Sequence, residues 1–332
     1  MPLALANDKS IAEAVALLRG GGCVGLPTET VYGLAADGLN VDAVSRIFEM
    51  KQRPTFDPLI LHVPEGYDLS RICQPNETAR RLIQKFWPGP LTVLLPKTEL
   101  VPDLVTSGLR TVAVRCPSHP VAQKVLSGFG GPLAVPSANR FGRISPTTAR
   151  AAQEELGEAA FILDAGSCAV GVESTIVNCV GAPSVLRQGG VALEEVRAVL
   201  GSDVGLGEES SPLPLVPGAL KSHYAPATSL YRSRRVLAEC GTLPDEYAYL
   251  FWQQLPKRLP KFYRRLTESG SAREAAARLF QFMRELDAMG VNGIICDPVP
   301  MENLGAAMND RLHRASRGWA DWDDSRFRLV AR

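Results

Sequence analysis

The chain has 332 residues, more than the roughly 250 to 300 at which a single hydrophobic core stops growing, so two domains are expected. Apolar residues make up 45% and charged residues 21%, with a formal net charge of +1, a balance that excludes extended disorder and leaves no whole-molecule field to hold a polyanion. No apolar run approaches the ~20 residues of a membrane span, no secretion signal opens the chain, and its seven cysteines have no metal-ligand spacing, so a soluble, reduced, cytoplasmic protein is expected.

In chain order, Ile11, Ala14, Val15 and Leu18 share one face of a helix over 10–18, which Gly20-Gly21-Gly22 stops before an apolar strand over 23–26. Asn40 caps a second helix that ends near Met50 and delivers Lys51 and Arg53 to a proline-containing loop. Strands follow over 59–63, 91–95, 111–115, 133–135, 161–163, 175–178 and 184–186. Helices are expected over 79–86 and 121–126 and from about Thr147 and Leu193. This predicts an α/β fold, a twisted mixed-direction sheet with helices, over 1–200. From 201 to 228 Gly, Ser and Pro dominate and periodicity disappears, as in a linker. Strands over 229–231, 247–252 and 293–296, with helices over 271–289 and near 304–315, then predict a smaller C-terminal α/β domain over 229–332.

Polar clusters interrupt this pattern: Pro27-Thr28-Glu29-Thr30-Val31-Tyr32-Gly33-Leu34, Lys51-Gln52-Arg53-Pro54, Ser137-Ala138-Asn139 and Glu173-Ser174-Thr175-Ile176-Val177. Each is expected at the end of a strand-like run, where α/β sheets gather ligand groups. Neither usual nucleotide fingerprint is present, nor a G-x-S-x-G elbow or H-E-x-x-H zinc pair. An ammonium and a guanidinium two residues apart, Lys51 and Arg53, can grip adjacent phosphates, or merely complement a helix C-terminus. Ser137 and Asn139 offer a hydroxyl and an amide to a ligand, or to a turn. His62 reads equally as a satisfied core histidine. In the linker, Pro217-Gly218-Ala219-Leu220-Lys221-Ser222-His223-Tyr224-Ala225-Pro226 places an imidazole and a phenol where an idle spacer needs neither. The plain alternative is that Tyr224 staples the linker to a domain.

Taken in order, these stretches resemble the threonylcarbamoyl-AMP synthase family: P-T-E-T-V-Y-G-L, K-x-R, S-A-N, E-S-T-I-V and the linker's P-G-x-x-x-x-H-Y-x-P. Leu304-Gly305-Ala306-Ala307-Met308-Asn309-Asp310-Arg311-Leu312 is similar to the signature of that family's C-terminal domain. The resemblance implies a YrdC-like catalytic domain that makes L-threonylcarbamoyl-AMP and pyrophosphate from L-threonine, bicarbonate and ATP. A separate transferase complex would then place the group on the tRNA adenosine next to the anticodon, with no direct tRNA binding and no membrane involved. Thr30, His62, Arg115, Val135 and Ser174 match its threonine positions. Arg53, Asp57, Thr111, Ser137, Ser145, Arg187 and Tyr224 match its nucleotide positions, with Lys51 and Asn139 completing their signatures. Lys51 and Arg53 would carry the catalytic charge neutralisation, and Tyr224 would make the linker a lid.

That chemistry forces two anions together, so positioning and charge neutralisation should dominate over proton transfer. The family pattern after K-x-R-P is Asn-Pro-Leu, whereas this chain reads Asp57-Pro58-Leu59. A carboxylate there implies help in holding an ATP-bound magnesium ion. Two other readings stand beside this one. A YrdC-like module could bind RNA without making an adenylate, which near-neutral charge disfavours. A carbamoyl transferase of the hydrogenase-maturation type would bring paired C-x-x-C units, which are missing.

Overall fold

A computed structural model describes residues 3–207, 216–218, 223–323 and 326–331. The chain divides into two compact units, Met1–Phe141 with Ser145–Leu220, and Gly142–Ile144 with Lys221–Arg332.

In the first unit the strands are β1 (Leu3–Leu5), β2 (Val24–Leu26), β3 (Gly33–Asp37), β4 (Ile60–His62), β5 (Leu91–Pro96), β6 (Thr111–Arg115), β7 (Leu133–Ala134), β8 (Phe161–Asp164), β9 (Thr175–Asn178), β10 (Ser184–Arg187) and β11 (Gly205–Leu206). They form one mixed sheet in the order β1-β8-β2-β3-β7-β4-β6-β5-β9-β10-β11. Its helices are α1 (Asp8–Arg19), α2 (Val41–Lys51), α3 (Glu77–Phe86), α4 (Asp103–Thr106), α5 (Pro120–Phe129), α6 (Ala149–Leu156) and α7 (Leu193–Leu200).

Local chemistry sets the ends of these elements. Asn7 and Ser10 exchange side-chain and backbone bonds in a capping box that starts α1. Asn40 accepts from the Asp42 and Ala43 amides to start α2, and Gln52 ends it in the left-handed region at φ 51°. Strand alternation then divides the sheet into two faces. Leu61, Val93, Val114 and Val177 enter one core with Val44 and Ile47 of α2 and Leu82 of α3. Ile60, Leu94, Ala113 and Ile176 form an apolar floor on the opposite face, where Val216 packs on them.

The second unit contains β12 (Leu230–Ser233), β13 (Ala248–Phe251), β14 (Phe262–Arg265), β15 (Ile294–Cys296), β16 (Ser316–Asp323) and β17 (Arg326–Ala331), in the order β14-β13-β15-β12-β16-β17, with α8 (Ala272–Asp287) and α9 (Gly305–Ala315). Tyr224 is packed here. It sits at φ 63° and is 1% exposed. Phe280 of α8 stacks on its ring at 5.8 Å and the Arg311 guanidinium of α9 lies 5.0 Å over it. The His223 amide donates to the Arg314 carbonyl at 3.3 Å. The 304–312 signature thereby acquires a physical role: Arg311 faces Tyr224 while Asp310 pairs with both Arg311 and Arg314. Asn309 donates to the Val299 and Gly305 carbonyls at the start of α9.

The structure adds elements beyond those expected. They include β1, β3, β14, β16, β17 and the single turn α4; alternation in β16 and β17 places Ala320, Trp322, Phe327 and Leu329 at the second unit's core, and backbone neighbours in the sheet complete the strands among them. β11 lies inside the expected linker, pairing Gly205 with Ser184 and Leu206 with Val185. Residues 208–215 and 219–222 of that linker lie outside the described residues. All seven cysteines are free and buried, and among the described residues no helix is long and apolar enough to cross a membrane.

Candidate active site

The mixed strand directions gather the polar clusters. β4 runs parallel to β6, with His62 beside Arg115, while β5 runs antiparallel to β6, with Thr92 beside Arg115. β9 is parallel to β5 and antiparallel to β10, with Arg187 beside Ile176. The last residues of β4, β6 and β10 therefore share an edge with the first residues of β5 and β9. This corrects the expectation that each cluster ends a strand: Ser174 immediately precedes β9, and Lys51 ends helix α2. Only a mixed sheet brings such residues together.

Arg115 is the centre of the first group and is 3% exposed. Its Nη1 donates to Thr30 Oγ1 at 2.9 Å, and its Nε donates to the Gly89 carbonyl at 3.2 Å. Its Nη2 stands 2.8 Å from Glu29 Oε1 as an ion pair. Burial alone raises the Glu29 carboxyl, but the Arg115 charge beside it prevails and holds it below the usual carboxylate range. His62 is 3% exposed, and its Nδ1 has no hydrogen-bond partner. Burial first, and the Arg115 charge second, push its imidazole well below the ordinary value, so it is neutral.

Ser174 links this group to Arg187. Ser174 Oγ and Thr92 Oγ1 share a hydrogen bond of 2.8 Å. Arg187 donates from Nε and Nη2 to the Ser174 carbonyl at 3.1 and 3.0 Å, from Nη2 to Ser174 Oγ at 3.1 Å, and from Nη1 to the Pro217 carbonyl at 2.9 Å. Gly189 permits the close backbone crossing behind this fork, since an added Cβ would collide with the Glu173 carbonyl.

The second group surrounds Lys51, which is 1% exposed. Its ammonium donates to the Ser137 carbonyl at 2.6 Å and to the Asn139 carbonyl, which fixes the S-A-N turn. Burial, reinforced by the Arg53 charge, pushes the Lys51 ammonium well below the ordinary lysine value. Arg53 donates to the Asp57 and Pro58 carbonyls and pairs with Asp57 Oδ2 at 2.8 Å. Burial raises the Asp57 carboxyl, while Arg53, Lys51 and Arg187 oppose it. Arg187 thus acts electrostatically on both groups, lowering His62 in one and Asp57 in the other.

The remaining expected residues take several positions. Ser145 donates to Glu173 Oε1 at 2.6 Å. The Asn139 amide donates to the Arg140 carbonyl at 2.8 Å. The Val135 side chain joins the core beneath α1 and α5, and its amide donates to the Ile60 carbonyl. Thr111 opens β6 at the strand end opposite Arg115, about 13 Å away at the usual rise per residue. Tyr224 belongs to the second unit. Residue-by-residue matching passed over Glu29, Thr92 and Glu173. Thr92 carried a signal, a hydroxyl buried in an otherwise apolar strand; Glu173 opens its own motif, and nothing local marked Glu29 as Arg115's partner.

Among the described residues no three His, Cys, Asp or Glu side chains cluster as metal ligands. Asp57 pairs with Arg53 without an aligned hydrogen bond to either carboxylate oxygen.

Residues 16–189 match the family described as "Telomere recombination", and residues 191–317 match "Threonylcarbamoyl-AMP synthase, C-terminal domain". The chain is 37% identical to the threonylcarbamoyl-AMP synthase of Bacillus subtilis (strain 168), over 94% of each chain. It is likewise 37% identical to the synthase of Pyrococcus abyssi (strain GE5 / Orsay), over 93% of this chain and 95% of that one. The crystal structure of P. abyssi Sua5 complexed with L-threonine is similar at a TM-score of 0.86 and 34% identity, covering 96% of this chain and 98% of that chain.

Proposed function

The chain belongs to the threonylcarbamoyl-AMP synthase family, and from that membership we propose that it condenses L-threonine, bicarbonate and ATP into L-threonylcarbamoyl-AMP and pyrophosphate. The observation that carries this reading is Arg187 standing between two groups of different chemistry. One, Thr30, His62, Arg115 and Ser174, suits a small amino acid with a hydroxyl and a carboxylate. The other, Lys51, Arg53 and Asp57, is a compact charged cluster suited to phosphates.

The threonine amine and bicarbonate form an N-carboxylate with loss of water. One oxygen of that carboxylate attacks the α-phosphorus of ATP, the new O–P bond forms, and the bridging bond to the β-phosphate breaks with its electron pair leaving on pyrophosphate. Arg115 orients the threonine carboxylate and Thr30 its hydroxyl. Lys51 holds the Ser137–Asn139 turn in place, and the guanidiniums of Arg53 and Arg187 offset the charge that gathers between the two anions. Magnesium bound with ATP would supply neutralisation of the departing phosphates, and Asp57 would be the carboxylate to hold it.

The product then passes to a transferase that places the threonylcarbamoyl group on the tRNA adenosine next to the anticodon. An RNA-binding module without this activity is not favoured, because Lys51, Arg53, Arg115 and Arg187 are all under 9% exposed, whereas phosphate contact along a strand needs cations at the surface. Pyrophosphate release from ATP, with threonine and bicarbonate each supplied or omitted, tests the proposal. Release is expected only when both are present, and release indifferent to either would refute it.

A further inference from the structure

We propose that Glu29 reads the α-ammonium of the amino-acid substrate, so that Arg115 and Glu29 together form a net-neutral subsite selecting zwitterions over simple carboxylates. The inference rests on the functional reading above and adds a specificity residue to it.

Glu29 is 8% exposed. Arg115 faces it 2.8 Å away. The Ser118 backbone is a further hydrogen-bond partner of the carboxylate, and the His119 imidazole feels its charge. A carboxylate offers about four acceptor sites, and one guanidinium with one backbone group leaves some of them for a ligand to complete. Its place decides which ligand. Glu29 and Thr30 are consecutive and flank the two terminal nitrogens of the same guanidinium. A threonine whose carboxylate meets Arg115 and whose hydroxyl meets Thr30 has one remaining charge, the ammonium, and Glu29 is the anion beside it. Charge balance agrees: a lone buried guanidinium would favour any carboxylate, whereas the Arg115–Glu29 pair is neutral and matches a neutral zwitterion. Glu29 reads the ammonium on binding rather than taking its proton, because Arg115 keeps the carboxyl a far weaker base than an amine, and the proton that the ammonium loses before the free amine reacts with bicarbonate goes to water.

The test is calorimetric binding of L-threonine and of 3-hydroxybutanoate, which is threonine without its amine, to the full chain and to Glu29→Gln. The wild type is expected to bind threonine at least about tenfold more tightly than 3-hydroxybutanoate. Glu29→Gln should weaken threonine about 10- to 100-fold, the loss of one charge-assisted hydrogen bond, while leaving 3-hydroxybutanoate unweakened. Equal weakening of both ligands would mean that Glu29 only positions Arg115, and would overturn the proposal. So would equal binding of both ligands by the wild type, a measurement that needs no variant to fold. Failure of the wild type to bind threonine at all would overturn the functional reading and this proposal with it.

Discussion

Arg187 and Ser174 are joined three times: two guanidinium nitrogens donate to the Ser174 carbonyl, and one of them also donates to its hydroxyl. The same fork reaches the Pro217 carbonyl at 2.9 Å, so a single side chain ties the start of β9 to the described linker segment that holds Val216 on the apolar floor.

Replacing that fork by a point charge should be damaging. Arg187→Lys keeps the charge but cannot serve both Ser174 and Pro217. Pyrophosphate release is expected to fall at least about tenfold, and unfolding in urea should show a loss of about 1–3 kcal/mol from the orphaned acceptors. Unchanged activity and stability would remove Arg187 from the centre of the site.

Neutral His62 makes the first unit acid-sensitive. Its folded pKa lies well below the 6.5 of a free imidazole, so between those values the unfolded chain binds a proton that the folded chain does not. Stability therefore rises with pH through this window and is complete above about pH 6.5, with a slope of up to about 1.4 kcal/mol per pH unit. Asp57, whose folded pKa is raised, acts in the opposite sense, so the informative quantity is a difference. His62→Asn should flatten the pH dependence of urea unfolding between pH 5 and 6.5 relative to wild type; parallel curves would contradict the assignment.

Asp57→Asn separates two roles of one carboxylate. As a partner of Arg53 it contributes to the fold, and as the proposed magnesium donor it would set the metal requirement. The substitution is expected to raise the magnesium concentration for half-maximal pyrophosphate release several-fold. If that concentration does not move, Asp57 serves Arg53 alone.

In the second unit, the Arg311–Tyr224 contact predicts coupling. Arg311 is fully buried over the Tyr224 ring, where a desolvated cation–π pair contributes about 2 kcal/mol. A double-mutant cycle of Arg311→Met and Tyr224→Leu, read by urea unfolding, should show at least about 1 kcal/mol of coupling. Additive effects would reduce the contact to adjacency.

The local signals in the chain were sufficient for the α/β class, for most of the helices and for the sheet's apolar strands, because each rests on the periodicity of its own residues. Asn40 before Val44 and Ile47, or the run Leu91 to Leu95, needs no distant partner to be read. The polar motifs were equally legible as sequence. Strand pairing was not, since β3 and β16 exist only where β2, β7 and β12 offer open backbone edges. Nor was the site's assembly. That Arg115 is held by Glu29 and Thr30, more than eighty residues earlier, or that Ser174 just before β9 meets Thr92 near the start of β5, follows from long-range strand pairing that no local pattern encodes. Tyr224 shows the same division: its oddity in a linker was visible in sequence, but only tertiary packing placed it against Phe280 and Arg311, where burying an aromatic ring and a guanidinium together stabilises both.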